Sequence, residues 1–120
     1  MTDIHALAGR RLLLVEDEYL IAADLVRELL AGGAEVVGPV GSVDDALNLL
    51  DEAGRLDGAV LDLNLQGEMA FPVAGALMNA KVPFVFTTGY DQAAIPACYA
   101  HVTRCEKPVD AAKVAAALFG

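Results

Sequence analysis

The alternation of short apolar runs with helical patterns constrains the fold of this chain more than any other sequence feature. Strands are predicted at 11–15, 35–40, 58–61, 82–88 and 102–106. A helix is predicted after each strand. The five helices run from just after residue 18 to about 31, from residue 42, around 72–79, near 91–100 and at 110–119. Strands that alternate with helices indicate a parallel sheet with right-handed crossovers. We therefore predict an α/β fold, a five-stranded parallel sheet with helices on both faces.

The third run, Gly58-Ala59-Val60-Leu61, leads directly into the carboxylate of Asp62. A short apolar run bounded by turn residues predicts a strand that is buried on both faces. Asp62 then lies at the carboxyl end of that strand, where open α/β sheets place their ligands. Taken alone, an Asp at this position is more often a turn former or a helix cap, so its role depends on what the other strands bring to the same edge.

Length and charge limit the domain organisation and the classes of partner. With 120 residues, of which 56% are hydrophobic, we expect a single packed domain over 1–120, with 1–10 as a weakly ordered lead-in. The net charge of -9 argues against direct nucleic-acid binding, which needs basic residues to displace counterions. Such a charge suits cations or basic partner surfaces.

Membrane and secretory signals are missing from the sequence. No apolar run approaches the ~18 residues that a membrane-spanning helix requires. The first residues, Met1-Thr2-Asp3-Ile4-His5, lack the basic-then-apolar order of a signal peptide. We expect a cytoplasmic protein without membrane contact, in which Cys98 and Cys105 are reduced packing residues.

Polar side chains follow four of the five predicted strands. They are Glu16, Asp17, Asp62, Thr88 and Lys107. Because the carboxyl ends of parallel strands meet at one edge of the sheet, we expect these side chains to lie together. Carboxylates at close range repel unless a cation joins them, and an all-oxygen set favours Mg²⁺. A metal beside a lysine and a hydroxyl suits phosphoryl chemistry, in which a carboxylate can be the nucleophile.

With these motifs in place, the chain resembles the receiver domain of two-component response regulators. The resemblance runs from Arg11 to Phe119 and depends on Glu16-Asp17, Asp62, Thr88-Gly89 and Lys107-Pro108. It implies the flavodoxin-like strand order 2-1-3-4-5.

The resemblance also implies the role of each site residue. Asp62 would be the phosphoacceptor, and Asp17 and Asp62 would supply carboxylates to Mg²⁺. Glu16 would act on the metal mainly through a water, and the backbone carbonyl of Asn64 would be a further ligand.

The same resemblance assigns partners to the phosphorylated form. Thr88 would bond a phosphoryl oxygen, and Lys107 would pair first with Asp62 and then with the phosphoryl group. The donor would be a sensor histidine kinase or a histidine phosphotransfer protein. The chain would then be a signalling phosphoacceptor rather than an enzyme, with a downstream protein partner that the sequence does not identify. Dimerisation through the last helix is left open.

Two positions depart from the common receiver pattern. Gln66-Gly67 replaces the usual proline shortly after the first turn of the phosphoacceptor loop, and the second departure lies before the lysine. Receivers commonly carry an aromatic residue three positions before the lysine, and here that position is Arg104. Tyr90, directly after Gly89, is the nearest aromatic to Thr88 on its carboxyl side and is the candidate for a different switch role. The stretch 86–90 is similar to the Phe-Ala-Thr-Gly-Tyr-like motif of a subgroup of stand-alone or kinase-associated receivers.

Two other functions remain alternatives at this stage. The first is a haloacid-dehalogenase-like phosphatase with an aspartyl-phosphate intermediate, but Asn64 stands where that pattern has its acid/base Asp. The second is an interaction module on the same fold that works without phosphorylation.

Overall fold

The computed structural model describes residues 4–89 and 95–120. The strands of the main sheet are β1 (Arg11–Val15), β2 (Glu35–Val40), β3 (Gly58–Asp62), β4 (Phe84–Thr88) and β5 (Arg104–Glu106). The α-helices in the described ranges are α1 (Tyr19–Ala31), α2 (Val43–Glu52), α3 (Phe71–Asn79) and α4 (Ala111–Phe119). All neighbouring strands are parallel, in the order β2-β1-β3-β4-β5. The predicted fold class and strand order are confirmed.

Two hydrophobic clusters lie on opposite faces of the sheet. Alternate residues of β3 point to opposite sides, so Ala59 and Leu61 join one cluster and Val60 joins the other. The first cluster packs beneath α2 and α3, and the second packs beneath α1 and α4. β3 is therefore buried throughout, and its position at the centre of the sheet fixes where Asp62 emerges.

Local sequence signals set the ends of the helices and the edge of the sheet. The Ser42 hydroxyl accepts a hydrogen bond from the Asp45 N–H at 3.1 Å, and Asp110 accepts one from the Lys113 N–H at 2.8 Å. Both are N-caps, which satisfy N–H groups that have no partner within the helix. β2 lies at the edge of the sheet, where Pro39 can be tolerated because an edge strand has one unpaired side.

The helix predicted near 91–100 is wrong in its described part. Residues 95–100 contain only a 3-10 turn at Ala97–Tyr99, directly after Pro96. The Val102 N–H bonds the Tyr99 carbonyl at 3.0 Å and turns the chain at once toward β5. β5 begins at Arg104, two residues later than predicted, and is correspondingly short.

Residues 4–10, the described part of the predicted weakly ordered lead-in, contact the rest of the domain. A 3-10 turn spans Ile4–Leu7, and the Leu7 side chain is fully buried. The Arg10 guanidinium lies 4.3 Å from the centre of the Phe119 ring in α4. Burial of an apolar side chain and a cation–π contact both hold this segment to the domain. Across the described ranges, no helix combines the length and the apolar character needed to span a bilayer.

Candidate functional site

Three carboxylates from two strand ends meet at the carboxyl edge of the sheet. Asp62 ends β3, and Glu16 and Asp17 follow β1, its neighbour in the sheet. One oxygen from each residue can be chosen so that all three lie within 4.8 Å of one another. Glu16 and Asp62 are buried, with 6% and 4% of their surface exposed, whereas Asp17 is half-buried. Buried carboxylates at this distance repel strongly unless positive charge is added.

Lys107 supplies part of that positive charge. Its Nζ lies 2.9 Å from Asp62 Oδ2 and 2.9 Å from Glu16 Oε1, and 3.9 Å from the exposed Glu18. The backbone positions this lysine, because the Lys107 N–H donates to the carbonyl of Thr88 at the end of β4. Lys107 and Thr88 therefore stand at the same edge as the carboxylates.

The loop after β3 closes one side of the site through backbone N–H groups. The Asn64 N–H donates to Asp62 Oδ1 at 3.2 Å, and the Gln66 N–H donates to Asp17 Oδ2 at 3.0 Å. Asn64 and its neighbour Leu65 pair with 68–69 across a tight turn in which Gln66 and Gly67 both have positive φ. The turn is held by the Asn64 side chain, which accepts from the Gly67 N–H at 2.8 Å. This geometry orients both carboxylates without neutralising them.

Burial dominates the electrostatics of Glu16. Loss of solvent, reinforced by the neighbouring Asp62, raises the pKa of Glu16 to about 8, although Lys107 works in the opposite direction. For Asp17, burial alone would raise the pKa, but side-chain hydrogen bonding with Glu16 and Asp62 and the hydrogen bond from the Gln66 N–H lower it overall. Without a metal ion, Glu16 is therefore the carboxyl that retains a proton.

Lys107 remains charged in this environment. Burial alone would lower its pKa, but the carboxyl groups of Asp62 and Glu16 raise it overall. The charge count explains why the site attracts a cation. With all three carboxyls of the cluster ionised, three negative charges face one ammonium. A divalent cation would bring the total to zero.

A cleft of about 300 Å³ opens over the carboxylates. It is lined by Asp17, Glu18, Asp62, Leu63, Asn64, Gln66, Gly67, Thr88, Gly89 and Lys107. Thr88 is half-buried and Gly89 is exposed, so the hydroxyl side of the cleft faces solvent. The cleft therefore opens to solvent beside Asp62.

The donor set of this cleft fits Mg²⁺. Every candidate ligand is an oxygen, and Mg²⁺ prefers oxygen ligands and usually keeps several waters. Two ligands on one Mg²⁺ stand at most about 4 Å apart, given metal–oxygen distances near 2.1 Å. The separation of up to 4.8 Å therefore suits a site in which one carboxylate acts through a water. The resemblance assigns direct coordination to Asp17 and Asp62 and the water-mediated role to Glu16, and this assignment stays a prediction.

The other predicted site residues divide into three groups. Asn64 and Thr88 line the cleft beside Asp62. Arg104 is exposed on β5 and is not among the residues that line the cleft. Tyr90 lies outside the described residues. Its proposed switch role therefore stays a prediction.

Sequence reasoning missed two contributors to the cleft. Glu18 lies 3.9 Å from Lys107 Nζ, and Gln66 binds Asp17 through its N–H. Glu18 could have been found as the third member of the acidic run 16–18. The Gln66 contact depends on the turn conformation of the backbone, which side-chain patterns alone do not specify.

Solved structures place this arrangement among known proteins. The solution structure of SdrG from Sphingomonas melonis Fr1 is 38% identical, with a TM-score of 0.80, and the match covers 92% of this chain and 93% of that one. The chain belongs to the response regulator receiver family. A second SdrG structure, titled as its BeF3-activated conformation, matches with a TM-score of 0.74, 38% identity and coverage of 92% and 94%.

Two more distant comparisons agree with this assignment. A response regulator receiver protein from Sinorhizobium medicae WSM419 shares the fold, with a TM-score of 0.75, 24% identity and coverage of 92% and 91%. The transcriptional regulatory protein PdtaR of Mycobacterium tuberculosis is 32% identical over 92 residues. That match covers 76% of this receiver chain, which spans 44% of the PdtaR length. No family model matches the chain, and none of these comparisons identifies the Phe-Ala-Thr-Gly-Tyr-like subgroup.

Proposed function

We propose that Asp62 accepts a phosphoryl group in a Mg²⁺-dependent reaction and that the receiver signals by a change of conformation. The observation that carries the proposal is the position of Lys107 Nζ, 2.9 Å from both Asp62 and Glu16, at the base of an open acidic cleft. The relative SdrG supports it, because beryllofluoride mimics a phosphoryl group and SdrG has a BeF3-activated conformation.

In the proposed reaction, an Asp62 carboxylate oxygen attacks phosphorus on a phosphohistidine of a kinase or phosphotransfer protein. A P–O bond forms, the P–N bond breaks, and the electron pair returns to the imidazole, which takes a proton from solvent. When bound, Mg²⁺ would neutralise charge on the phosphoryl oxygens. Lys107 already contacts Asp62 and is placed to stabilise the same charge, and Thr88 at the cleft can donate a hydrogen bond to a phosphoryl oxygen.

Phosphorylation would change the charge balance that holds this edge together. The phosphoryl group carries roughly -1.5 to -2 charge in place of the single negative charge of the Asp62 carboxylate, and it brings three acceptor oxygens. Lys107 and Thr88 would be drawn toward that group, and both are followed along the chain by surface residues, among them 95–101 after Thr88 and 108–110 after Lys107. The receiver would thereby shift between two arrangements and alter a protein-binding surface. In this proposal the chain is a cytoplasmic signalling phosphoacceptor, and its own turnover of phosphate is incidental.

Intact-mass measurement after incubation with acetyl phosphate and Mg²⁺ tests the assignment. We expect the wild type to gain one phosphoryl group and Asp62→Asn to gain none. Asp51→Asn, an exposed carboxylate change on α2, is the matched control and should be labelled like the wild type. Labelling that persists in Asp62→Asn would refute the site.

The same measurement separates the alternatives. Continuous release of phosphate from small esters would indicate a phosphatase rather than a phosphoacceptor. A wild type that is never labelled and does not respond to beryllofluoride would indicate an interaction module that works without phosphorylation.

A further inference from the structure

Tyr99 occupies a slot on the surface of α3. Its ring stacks on Phe71 with ring centres 5.7 Å apart and planes 9° from parallel, and its hydroxyl donates to the Phe71 carbonyl at 3.3 Å. One helical turn further on, a Cβ added at Gly75 would lie 3.2 Å from the Tyr99 hydroxyl oxygen. Residues four apart share one face of a helix, so Phe71 forms the floor of the slot and Gly75 leaves room at its end.

The rings around this slot connect three segments that each lead to the candidate site. Phe71 begins α3 at the end of the loop that starts at Asp62. Phe86 meets Tyr99 edge-on at 6.1 Å and stands two residues before Thr88 in β4. Tyr99 lies in the segment that runs through β5 to Lys107. A shift at any of the three site residues is therefore transmitted to the same group of rings.

Tyr99 is attached less firmly than the other two rings. Phe86 is fully buried in the sheet, and Phe71 belongs to α3. Tyr99 is half-buried on a 3-10 turn, and the backbone hydrogen bonds around it join near neighbours, from 96 to 99, 97 to 100 and 99 to 102. Its side-chain hydrogen bond of 3.3 Å is long for a hydroxyl donor. We therefore expect a displacement at the candidate site to move the Tyr99 ring more than the rings of Phe71 and Phe86.

We propose that Tyr99 in the slot of Phe71 and Gly75 is a positioning residue that holds segment 95–103 in its unphosphorylated arrangement, and that phosphorylation of Asp62 releases it. The inference rests on the proposed phosphoacceptor function. Coupling between two sites is reciprocal, so a change that empties the slot must also favour the phosphorylated arrangement. A residue that only contributes to folding would not show this coupling.

The test is the apparent affinity for beryllofluoride in the presence of Mg²⁺, measured for the full chain and a set of variants. Stacked aromatic pairs stabilise the arrangement that contains them, so losing the Tyr99 ring should favour the other arrangement. We expect the Tyr99→Leu variant to bind beryllofluoride about two- to tenfold more tightly than the wild type. Tyr99→Phe keeps the stacked ring and should stay within about twofold, since it loses only a weak hydrogen bond. Tyr19→Leu, at a tyrosine that is 81% exposed on α1, is the matched control and should leave the affinity unchanged.

Gly75→Ala tests the slot without altering either ring. The added methyl group presses on the Tyr99 hydroxyl, and alanine favours the helical backbone, so the variant should fold. We expect tighter beryllofluoride binding by up to about twofold, in the same direction as Tyr99→Leu but smaller. In the wild type, the Tyr99 ring resonances, identified with Tyr99→Phe, should shift when beryllofluoride and Mg²⁺ are added together.

The outcomes distinguish this inference from the function on which it rests. If the wild type does not respond to beryllofluoride and Mg²⁺, the proposed function fails and the inference fails with it. If the wild type responds but Tyr99→Leu and Gly75→Ala bind with unchanged or weaker affinity, the function stands and the role of Tyr99 is refuted. Wild-type Tyr99 resonances that stay in place during a full response would refute it as well, even if Tyr99→Leu does not fold.

Discussion

The two ends of β3 both carry charged side chains, but the charges balance at one end and not at the other. At the amino end, the Asp57 carboxylate accepts from the Arg11 N–H at 2.8 Å and lies 3.4 Å from Arg55. The Arg11 guanidinium binds Glu35 and the carbonyls of Ala53 and Arg55. At the carboxyl end, three carboxyl groups lie together, and Lys107 is the one positively charged side chain among the described residues that contact them.

The difference lies in the balance of charge. Two carboxylates and two guanidinium groups balance at the amino end, and the network joins β1, β2 and the chain before β3. The carboxyl end has excess negative charge, and burial keeps a proton on Glu16. A balanced network stabilises the fold, whereas excess negative charge at a partly buried edge favours the binding of a cation. The variants below act on one end or the other.

Removing the Lys107 ammonium from the carboxyl end of β3 should have the largest effect on labelling. In Lys107→Ala, we expect the rate of labelling by acetyl phosphate to fall about a hundredfold or more, because a preorganised charge next to the transferred group is lost. Lys113→Ala, an exposed lysine change on α4, is the control and should be labelled at the wild-type rate. A Lys107→Ala variant labelled at the wild-type rate would place the lysine outside the reaction.

Metal binding at the unbalanced end should depend on pH. The pKa of Glu16 is raised from 4.5 to about 8, so the metal-free protein holds a proton there that Mg²⁺ must displace. We expect the apparent Mg²⁺ affinity to rise by up to about tenfold per pH unit between about pH 6 and 8, at one proton released per ion. Glu16→Gln should flatten this dependence in a calorimetric titration. An equal slope in both proteins would assign the proton to another group.

The proton on Glu16 also predicts how the free energy of unfolding changes with pH. The folded protein binds it more tightly than the unfolded chain, so its contribution is complete below pH 4.5 and is lost as the pH rises through about 8. In metal-free buffer, the free energy of unfolding should therefore fall over this range more steeply in the wild type than in Glu16→Gln. Denaturant titrations across the range measure it.

Disrupting the balanced end should affect stability and leave the chemistry intact. Arg11→Ala leaves Glu35 and two carbonyls without their donor, and we expect a loss of about 1–3 kcal/mol in the free energy of unfolding. Once folded, the variant should be labelled by acetyl phosphate like the wild type. A variant of full stability that cannot be labelled would contradict the division between the two ends.

Arg104 should have the smallest effect of these residues. Its side chain is exposed on β5 and is not among the residues that line the cleft, and exposed charges are largely screened by solvent and salt. We expect Arg104→Ala to change the labelling rate by less than about twofold. A large drop would show that the side chain acts in the site rather than on a partner-facing surface.

The features that follow from periodicity and topology, namely the sheet and the residues at its carboxyl edge, were predictable from the sequence. The β-α alternation predicted the parallel sheet, and the resemblance to receivers implied its strand order. Parallel pairing then brought Glu16, Asp62 and Lys107 to one edge, as the distances confirm. Their residue types were sufficient to indicate metal and phosphoryl chemistry, because those ligand preferences are chemical and do not depend on exact geometry.

Features that depend on packing between distant segments could not be predicted. Nothing local distinguishes Leu7 from Ile4 and the alanines around it, and its burial depends on α4 closing over the amino end. The stack of Tyr99 on Phe71 joins residues 28 apart, and Pro96 marked only the interruption of a helix, not the turn that replaced it. The conformation of the loop after Asp62 depends on positive φ values at Gln66 and Gly67, of which only the glycine is a sequence signal.

An NMR titration of the wild type with beryllofluoride, with and without Mg²⁺, tests the central claim most directly. We expect beryllofluoride to shift the amides of Asp62, Thr88 and Lys107 only when Mg²⁺ is present, in addition to the shifts that Mg²⁺ binding alone causes. The amides of Arg11 and Asp57 at the other end of β3 should stay in place. No response, or a response that does not require Mg²⁺, would contradict the account of Asp62 as a metal-dependent phosphoacceptor.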